Sequence, residues 1–320
     1  MPATTEPRVS RRGLCCSAVA LCCLPALRAQ AQLLAESGLA TTEVAPGIHV
    51  SQGVHAEATA DNLGAIANCA FVMGTTGVAV IDTGGCALWG QRLREAIRSV
   101  TPLPVRYVIN SHVHPDHVFG NSAFEGDGAD FIGHAKLPAA MAARGQFYLD
   151  NLAETLGPLA EGTRIVPPTM TVADSRDVDL GDRMLRVRAH PTAHTDNDLS
   201  VFDTATATLF TGDLLFMTRI PALDGSLKGW LDALAALRET PAKRVVPGHG
   251  PAASPWPDAL DDQERYLRTL LEDVRDILAR GGSMEQAVDR AGRSESGRWL
   301  LFDDYHARNV VTAFAELEWE

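Results

Sequence analysis

Six consecutive residues constrain this chain more than any other feature: His112-Val113-His114-Pro115-Asp116-His117. They follow Val105 to Ile109, a short apolar run that reads as a buried strand, so four metal-competent side chains leave a single strand end. One histidine in a core is ordinary. Three with an aspartate in this pattern, from a chain of 320 residues holding ten His and 24 Asp, arise by chance in on the order of one chain in a thousand. Side chains two residues apart in extended backbone point the same way, which suits His112 and His114 to one metal ion. Asp116 and His117 then turn toward a neighbouring second site. One loop therefore supplies half of two sites, and the fold has to bring the remaining ligands from elsewhere.

Three later strand ends offer them. His194 precedes the apolar run Leu199 to Phe202, Asp213 closes Thr211-Gly212-Asp213 after Thr208 to Phe210, and His249 sits in Pro247-Gly248-His249-Gly250 after Arg244-Val245-Val246. His190, four residues before His194, ends the strand Leu185 to Ala189 and is read as a surface or packing residue. Upstream, Val44 to Val50 alternates as one strand, and Phe71 to Met73 with Val78 to Ile81 reads as a hairpin around Gly74-Thr75-Thr76-Gly77. The polar stretch Ser51 to Asn68, with His55 and Glu57, is a loop beside a cleft. Leu88 to Ser99 and Ala135 to Leu152 have helical spacing, as does the stretch after Ser226, a helix cap. Beyond Pro257 the pattern is helical to the end. Strands interleaved with helices predict an α/β layered fold with a C-terminal helical extension. Composition agrees, since 46% hydrophobic and 21% charged residues exclude wholesale disorder.

With these motifs in this order, the stretch from about Ile48 to Gly250 resembles the metallo-β-lactamase superfamily. The resemblance implies a four-layer αββα sandwich with metals in a shallow groove at the sheet edges. It implies His112, His114 and His194 as ligands of a first metal, Asp116, His117 and His249 as ligands of a second, and Asp213 as the bridge. An aspartate rather than a cysteine at 213 is similar to the glyoxalase and lactonase side of the family. Asp82, in Ile81-Asp82-Thr83-Gly84, is either a residue that orients a metal-binding histidine, as the resemblance suggests, or a turn former. A narrower resemblance, carried by Thr192 to Leu199, Pro221 to Trp230 and Trp299 to Trp319, is to the exported zinc metallohydrolases of quinoprotein relay systems. It implies a functional link to a quinone-cofactor dehydrogenase.

The chemistry so implied is hydrolysis of an activated acyl bond in a small molecule: an ester, thioester, lactone or lactam. The nucleophile is a hydroxide held by two zinc ions, with Asp116 orienting it and moving its proton; iron or a mixed pair are the alternative occupants. No G-x-S-x-G element supports an acyl-enzyme route. Two rival classes stand beside this one, an iron-dependent persulfide dioxygenase and a non-catalytic accessory protein of the quinoprotein system. His at 114 rather than Glu argues against a flavodiiron electron carrier. Lys228 is read as a solvated helix residue, and Trp299, Phe302, Tyr305 and His306 as packing for the C-terminal helix.

The N-terminus reads as an address. Ser10-Arg11-Arg12-Gly13-Leu14 opens an apolar stretch to Leu24, and Ala29-Gln30-Ala31 offers a small-x-small cleavage site, predicting a twin-arginine export signal over 1–31 and a periplasmic protein. That apolar stretch is too short to span a bilayer, which takes roughly 20 residues. The catalytic domain is then 32–254 and the helical extension 255–320. Four cysteines leave with the signal, and the hairpin sets Cys69 and Cys86 too far apart to pair. The formal charge of -12 disfavours nucleic acid and anionic lipid as partners. Replacing both Arg11 and Arg12 with Lys should trap the precursor in the cytoplasm; unchanged periplasmic yield on fractionation removes the twin-arginine assignment.

Overall fold

The layers follow from the two-residue period of the strands. In Val78-Ala79-Val80-Ile81, Ala79 and Ile81 point to one face, where they meet Ile48, Val72 and Ile109, and across the interface Leu185, Val187, Val201 and Phe210. Val78 and Val80 point to the other, onto Leu93 and Ile97 of a covering helix. All four are buried, because this strand has a layer on each side.

The computed structural model describes residues 38–320, so the expected export signal lies outside the described residues. Leu39–Glu320 is one compact unit. Its first sheet holds β1 Thr42–Ala45, β2 Ile48–Ser51, β3 Cys69–Met73, β4 Val78–Ile81, β5 Val105–Ile109, β6 Asp130–His134 and β7 Met170–Val172, in that order. Pairing is antiparallel from β1 to β4 and parallel from β4 to β7. The second sheet holds β8 Ser175–Asp179, β9 Met184–Ala189, β10 Leu199–Asp203, β11 Thr208–Phe216, β12 Arg244–His249 and β13 Ser254–Pro255. Only its β11–β12 pair is parallel.

The helices are α1 Ala87–Val100, α2 Pro115–Val118, α3 Leu137–Leu156, α4 Leu227–Arg238, α5 Asp261–Ala279, α6 Met284–Arg290 and α7 Phe302–Leu317. Trp230 and Leu234 of α4, Tyr266 and Leu267 of α5, and Val310 and Phe314 of α7 share one apolar cluster with Leu209 and Val245 of the second sheet. Helices on both outer faces of two packed sheets make the αββα sandwich. Among the described residues no helix is long and apolar enough to cross a membrane.

Several expectations change in detail. Val44 to Val50 is not one strand: Pro46 and Gly47 break it into β1 and β2, with Gly47 at φ +72°. The strand expected at Thr208 to Phe210 continues to Phe216 and carries Asp213 within it. Lys228 is not merely solvated, since its ammonium pairs with Glu320 at 2.6 Å. Cys69 and Cys86 are both buried free thiols.

One ion pair fastens the two sheets together. Arg183, just before β9, donates from Nε and Nη2 to Asp203 of the same sheet at 2.9 and 2.8 Å. Its Nη1 reaches the Pro46 and Met73 carbonyls of the first sheet at 2.9 and 3.0 Å. Burial alone would raise the Asp203 carboxyl, but the Arg183 and Thr206 bonds hold it below the usual carboxylate range. The stabilisation is therefore complete above the unfolded pKa of about 3.9 and is lost as pH falls through the lower folded value. Asp203→Ala leaves a buried guanidinium without its counter-charge and should cost about 3–5 kcal/mol in denaturant unfolding near neutral pH; a loss under about 1 kcal/mol contradicts this role.

Candidate metal centre

Parallel pairing gathers the site at one edge of the sandwich. β4 and β5 run side by side, so Asp82 and His112 leave the first sheet at the same end; β11 and β12 also run side by side and carry Asp213 and His249 in their C-terminal halves. Between His114 and His117 the chain changes direction because Pro115 opens the one-turn helix α2, its ring presetting the helical φ. That turn separates Asp116 and His117 from the extended His112-Val113-His114 segment. Glycines let the pieces close up. A Cβ on Gly212 would lie 2.4 Å from the Ser111 Cβ, and one on Gly248 would lie 2.0 Å from Asp213 Oδ1. The glycines of Thr211-Gly212-Asp213 and Pro247-Gly248-His249 thus make room for the ligand set itself.

All seven residues expected to hold metal converge in two groups. In the first, His112 Nε2 and His194 Nε2 each lie 3.0 Å from His114 Nδ1. In the second, Asp116 Oδ2 lies 3.5 Å from His117 Nε2 and 3.4 Å from His249 Nε2. Asp213 stands between them: Oδ2 is 3.4 Å from His194 Nε2 and 3.3 Å from His249 Nε2, and Oδ1 is 3.1 Å from His117 Nε2.

Every imidazole uses its other nitrogen to fix its orientation. His117 Nδ1 donates to Asp82 Oδ2 at 2.8 Å, His194 Nδ1 to the Ala222 carbonyl at 2.7 Å, and His249 Nδ1 to the Ile66 carbonyl at 2.7 Å. His114 Nε2 donates to Asp224 Oδ2 at 3.1 Å. His112 Nδ1 lies 3.0 Å from Ser111 Oγ, whose own proton goes to Asp82 Oδ2. These partners assign the tautomers and leave five lone pairs facing inward. Asp82 is therefore an orienting residue, and it holds that place at φ +57°, a left-handed conformation that costs a non-glycine residue free energy.

The electrostatics prepare the same centre. Burial pushes His112 far down and His194 down to about 3, so both rings stay neutral at physiological pH. Burial also acts against His117, but Asp213, Asp116 and Asp82 raise it well above its ordinary value. His117 Nε2 and Asp213 Oδ1 are buried with no hydrogen bond, a cost that a ligand between them would remove. A tetrahedral ion with bonds of about 2.0–2.1 Å spaces its ligand atoms roughly 3.3–3.4 Å apart. The contacts of 3.0–3.5 Å within each group straddle that spacing. The residues fit a pair of divalent ions.

The centre opens into a cavity of about 560 Å³ that takes in Asp116, Asp213 and His249. Its other walls were not legible as such. Arg144 and Tyr148 come from α3, and Asp224, bonded to His114 and paired with Arg144, comes from the stretch before α4. Burial alone would raise the Asp224 carboxyl, yet His114 and Arg144 hold it far below the usual range. Tyr305, expected to pack, lines the cavity instead, whereas Trp299, Phe302 and His306 are buried as expected. His190 is a packing residue, with Nε2 2.7 Å from Ser200 Oγ. His55 lies near enough to His249 and Arg219 that they add to the lowering caused by burial.

Fold and site together define a metal-dependent hydrolase. The metallo-beta-lactamase superfamily profile matches residues 64–249, more than half of the chain, and the chain belongs to that superfamily. No curated protein matches it in sequence. Among solved structures it is similar to a metallo-beta-lactamase from Pontibacter korlensis, with a TM-score of 0.58 and 22% identity over 72% of this chain and 99% of that one. It is also similar to the stereoselective inverting sec-alkylsulfatase Pisa1 from Pseudomonas sp., with a TM-score of 0.65 and 17% identity over 92% of this chain. That match spans 52% of the sulfatase. At these identities the likeness is one of fold.

The orienting bonds make a site-specific prediction. Asp224→Asn should weaken the first metal position alone, and Asp82→Asn chiefly the second with a smaller loss at the first through Ser111, the principal loss in each being about 10- to 100-fold in a chelator-competition titration. Equal weakening of both positions by Asp224→Asn contradicts the assignment.

Proposed function

We propose that the protein is an exported binuclear zinc hydrolase that cleaves an activated acyl bond, in an ester, thioester, lactone or lactam, and serves a quinoprotein dehydrogenase system. The observation that carries the hydrolase reading is the pair of three-residue clusters joined by Asp213 at the wall of an open cavity. His112, His114 and His194 would hold one ion, Asp116, His117 and His249 the other. Two such ions supply Lewis-acid polarisation of a carbonyl and water that ionises near neutral pH. The chain's own groups do the rest. Asp116 borders the cavity with its side chain 14% exposed, whereas Asp213 is 4% exposed, so Asp116 is the carboxylate placed to accept a proton from the attacking water and return it to the leaving group. Asp213 fixes the spacing of the two clusters. The phenol of Tyr148 and the ring of Phe216 give the cavity an aromatic wall.

Support for the dehydrogenase link and for periplasmic export comes from the sequence resemblance and the N-terminal motif. The sulfatase likeness covers 92% of this chain, so a sulfate ester joins the substrate panel.

Metal analysis of natively purified protein should find two zinc ions per chain. Asp213→Ala should lower occupancy at both positions, His249→Ala chiefly the second and His194→Ala chiefly the first. Asp116→Asn should cut turnover by about 100-fold or more while the first ion is retained. Iron in place of zinc favours the dioxygenase reading. Wild-type turnover in both Asp116→Asn and Asp213→Ala overturns the two-metal mechanism, and no turnover of any member of the panel by the zinc-loaded protein favours the binding protein.

A further inference from the structure

Arg219 has no counter-charge suited to its position. It is 2% exposed, yet it lines the same cavity as Asp116 and His249. Its Nε and Nη1 are buried without hydrogen-bond partners. The nearest carboxylate, Glu57 Oε1, is 3.9 Å from Nη2 and belongs to a side chain 54% exposed to solvent. The guanidinium lies 5.1 Å over the ring of Tyr305, which offers a cation–π contact but accepts no N–H bond in that geometry. The other two arginines of the cavity, Arg144 and Arg308, both pair with Asp224 and are committed.

The backbone holds Arg219 in this place. Thr218 is fixed at φ +71°, and its carbonyl accepts from Leu300 N at 2.9 Å, while Ile220 N donates to the Leu300 carbonyl at 3.0 Å. A buried cation with open donors is costly to the folded state, and a rigid backbone around it prevents relief by movement. Such an arrangement is kept where a ligand supplies the missing charge. One uncommitted guanidinium matches one negative charge and offers its donors in a fork shaped for a carboxylate.

We propose that Arg219, with Tyr305 beneath it, is the anion-recognition residue of this cavity, and that the acyl compound hydrolysed carries a carboxylate remote from the scissile bond. The proposal rests on the hydrolase reading for the reaction and on the geometry of Arg219 for the carboxylate. Tyr305 lies outside the superfamily-matched stretch 64–249, so part of this subsite comes from the C-terminal helix α7.

The test uses the zinc-loaded full chain and two aryl esters of similar length, the neutral 4-nitrophenyl butyrate and the acidic mono-4-nitrophenyl glutarate. The wild type should favour the acidic ester by about 10- to 100-fold in kcat/KM, and Arg219→Met should bring that ratio to within about threefold of one. Arg219→Lys should keep part of the preference. Calorimetric binding of glutarate itself should weaken at least tenfold in Arg219→Met. Because the substitution removes an unpaired buried charge, its Tm should equal or exceed the wild-type value. A fall in Tm with an unchanged preference in Arg219→Met would make Arg219 a structural residue and overturn the proposal. So would hydrolysis of both esters without preference, which leaves the hydrolase reading standing. If neither these esters nor any member of the wider substrate panel turns over but glutarate binding depends on Arg219, the hydrolase reading fails and the anion subsite stands.

Discussion

The structure depends on keeping five imidazole nitrogens and two carboxylates turned toward one another at the wall of an open cavity. The lone pairs of His112, His114 and His194 that face one another at 3.0 Å do not attract. What holds them is the ring of acceptors behind them: Asp82, Ser111, Asp224 and the Ala222 and Ile66 carbonyls. They come from four separate stretches of the chain, around Ile66, Asp82, Ser111 and Ala222 to Asp224, and the sandwich holds these in register. The layers of the fold therefore serve less to cover the centre than to hold its supports in register. Asp82 illustrates the cost, since its single carboxylate serves Ser111 and His117 together from a backbone conformation that few non-glycine residues adopt.

The ligand set was legible because local spacing carries its chemistry. His112 and His114 share a face in extended chain, and Pro115 marks the turn that redirects Asp116 and His117. The glycines beside Asp213 and His249 were visible as well, although the contact each one permits emerges only when the two sheets meet. Apolar runs such as Val105–Ile109 read correctly as buried strands. By contrast Ser175–Asp179 forms a strand with a single buried residue, so it lacked the alternation that marks its neighbours. The split at Pro46 and Gly47 did have a local signal, a Pro-Gly pair inside an alternating run, and the alternation outweighed it.

The cavity walls were hidden for a different reason. Helical periodicity shows which face of α7 is apolar and says nothing of a cleft cut along its edge, so Tyr305 looked like its buried neighbours Phe302 and His306. Arg144 and Asp224 are 80 residues apart and have meaning only as a pair. Groups that line the cavity thus depend on long-range placement, whereas groups suited to metal announce themselves by type and spacing.

The two sheets are fastened at opposite ends of β3. At Met73 the fastener is Arg183, a side chain of the protein itself, which donates to the Met73 carbonyl. Near Cys69, which the hairpin register sets opposite Asp82, it is the ligand set, with His112 to His117 from one sheet and His194, Asp213 and His249 from the other. Ions bound there would act as a cross-link whose strength is set by the surroundings rather than by the chain, growing with the logarithm of free metal concentration. The sandwich would then loosen first at the centre in a metal-starved compartment, and its lifetime against proteolysis would report metal supply.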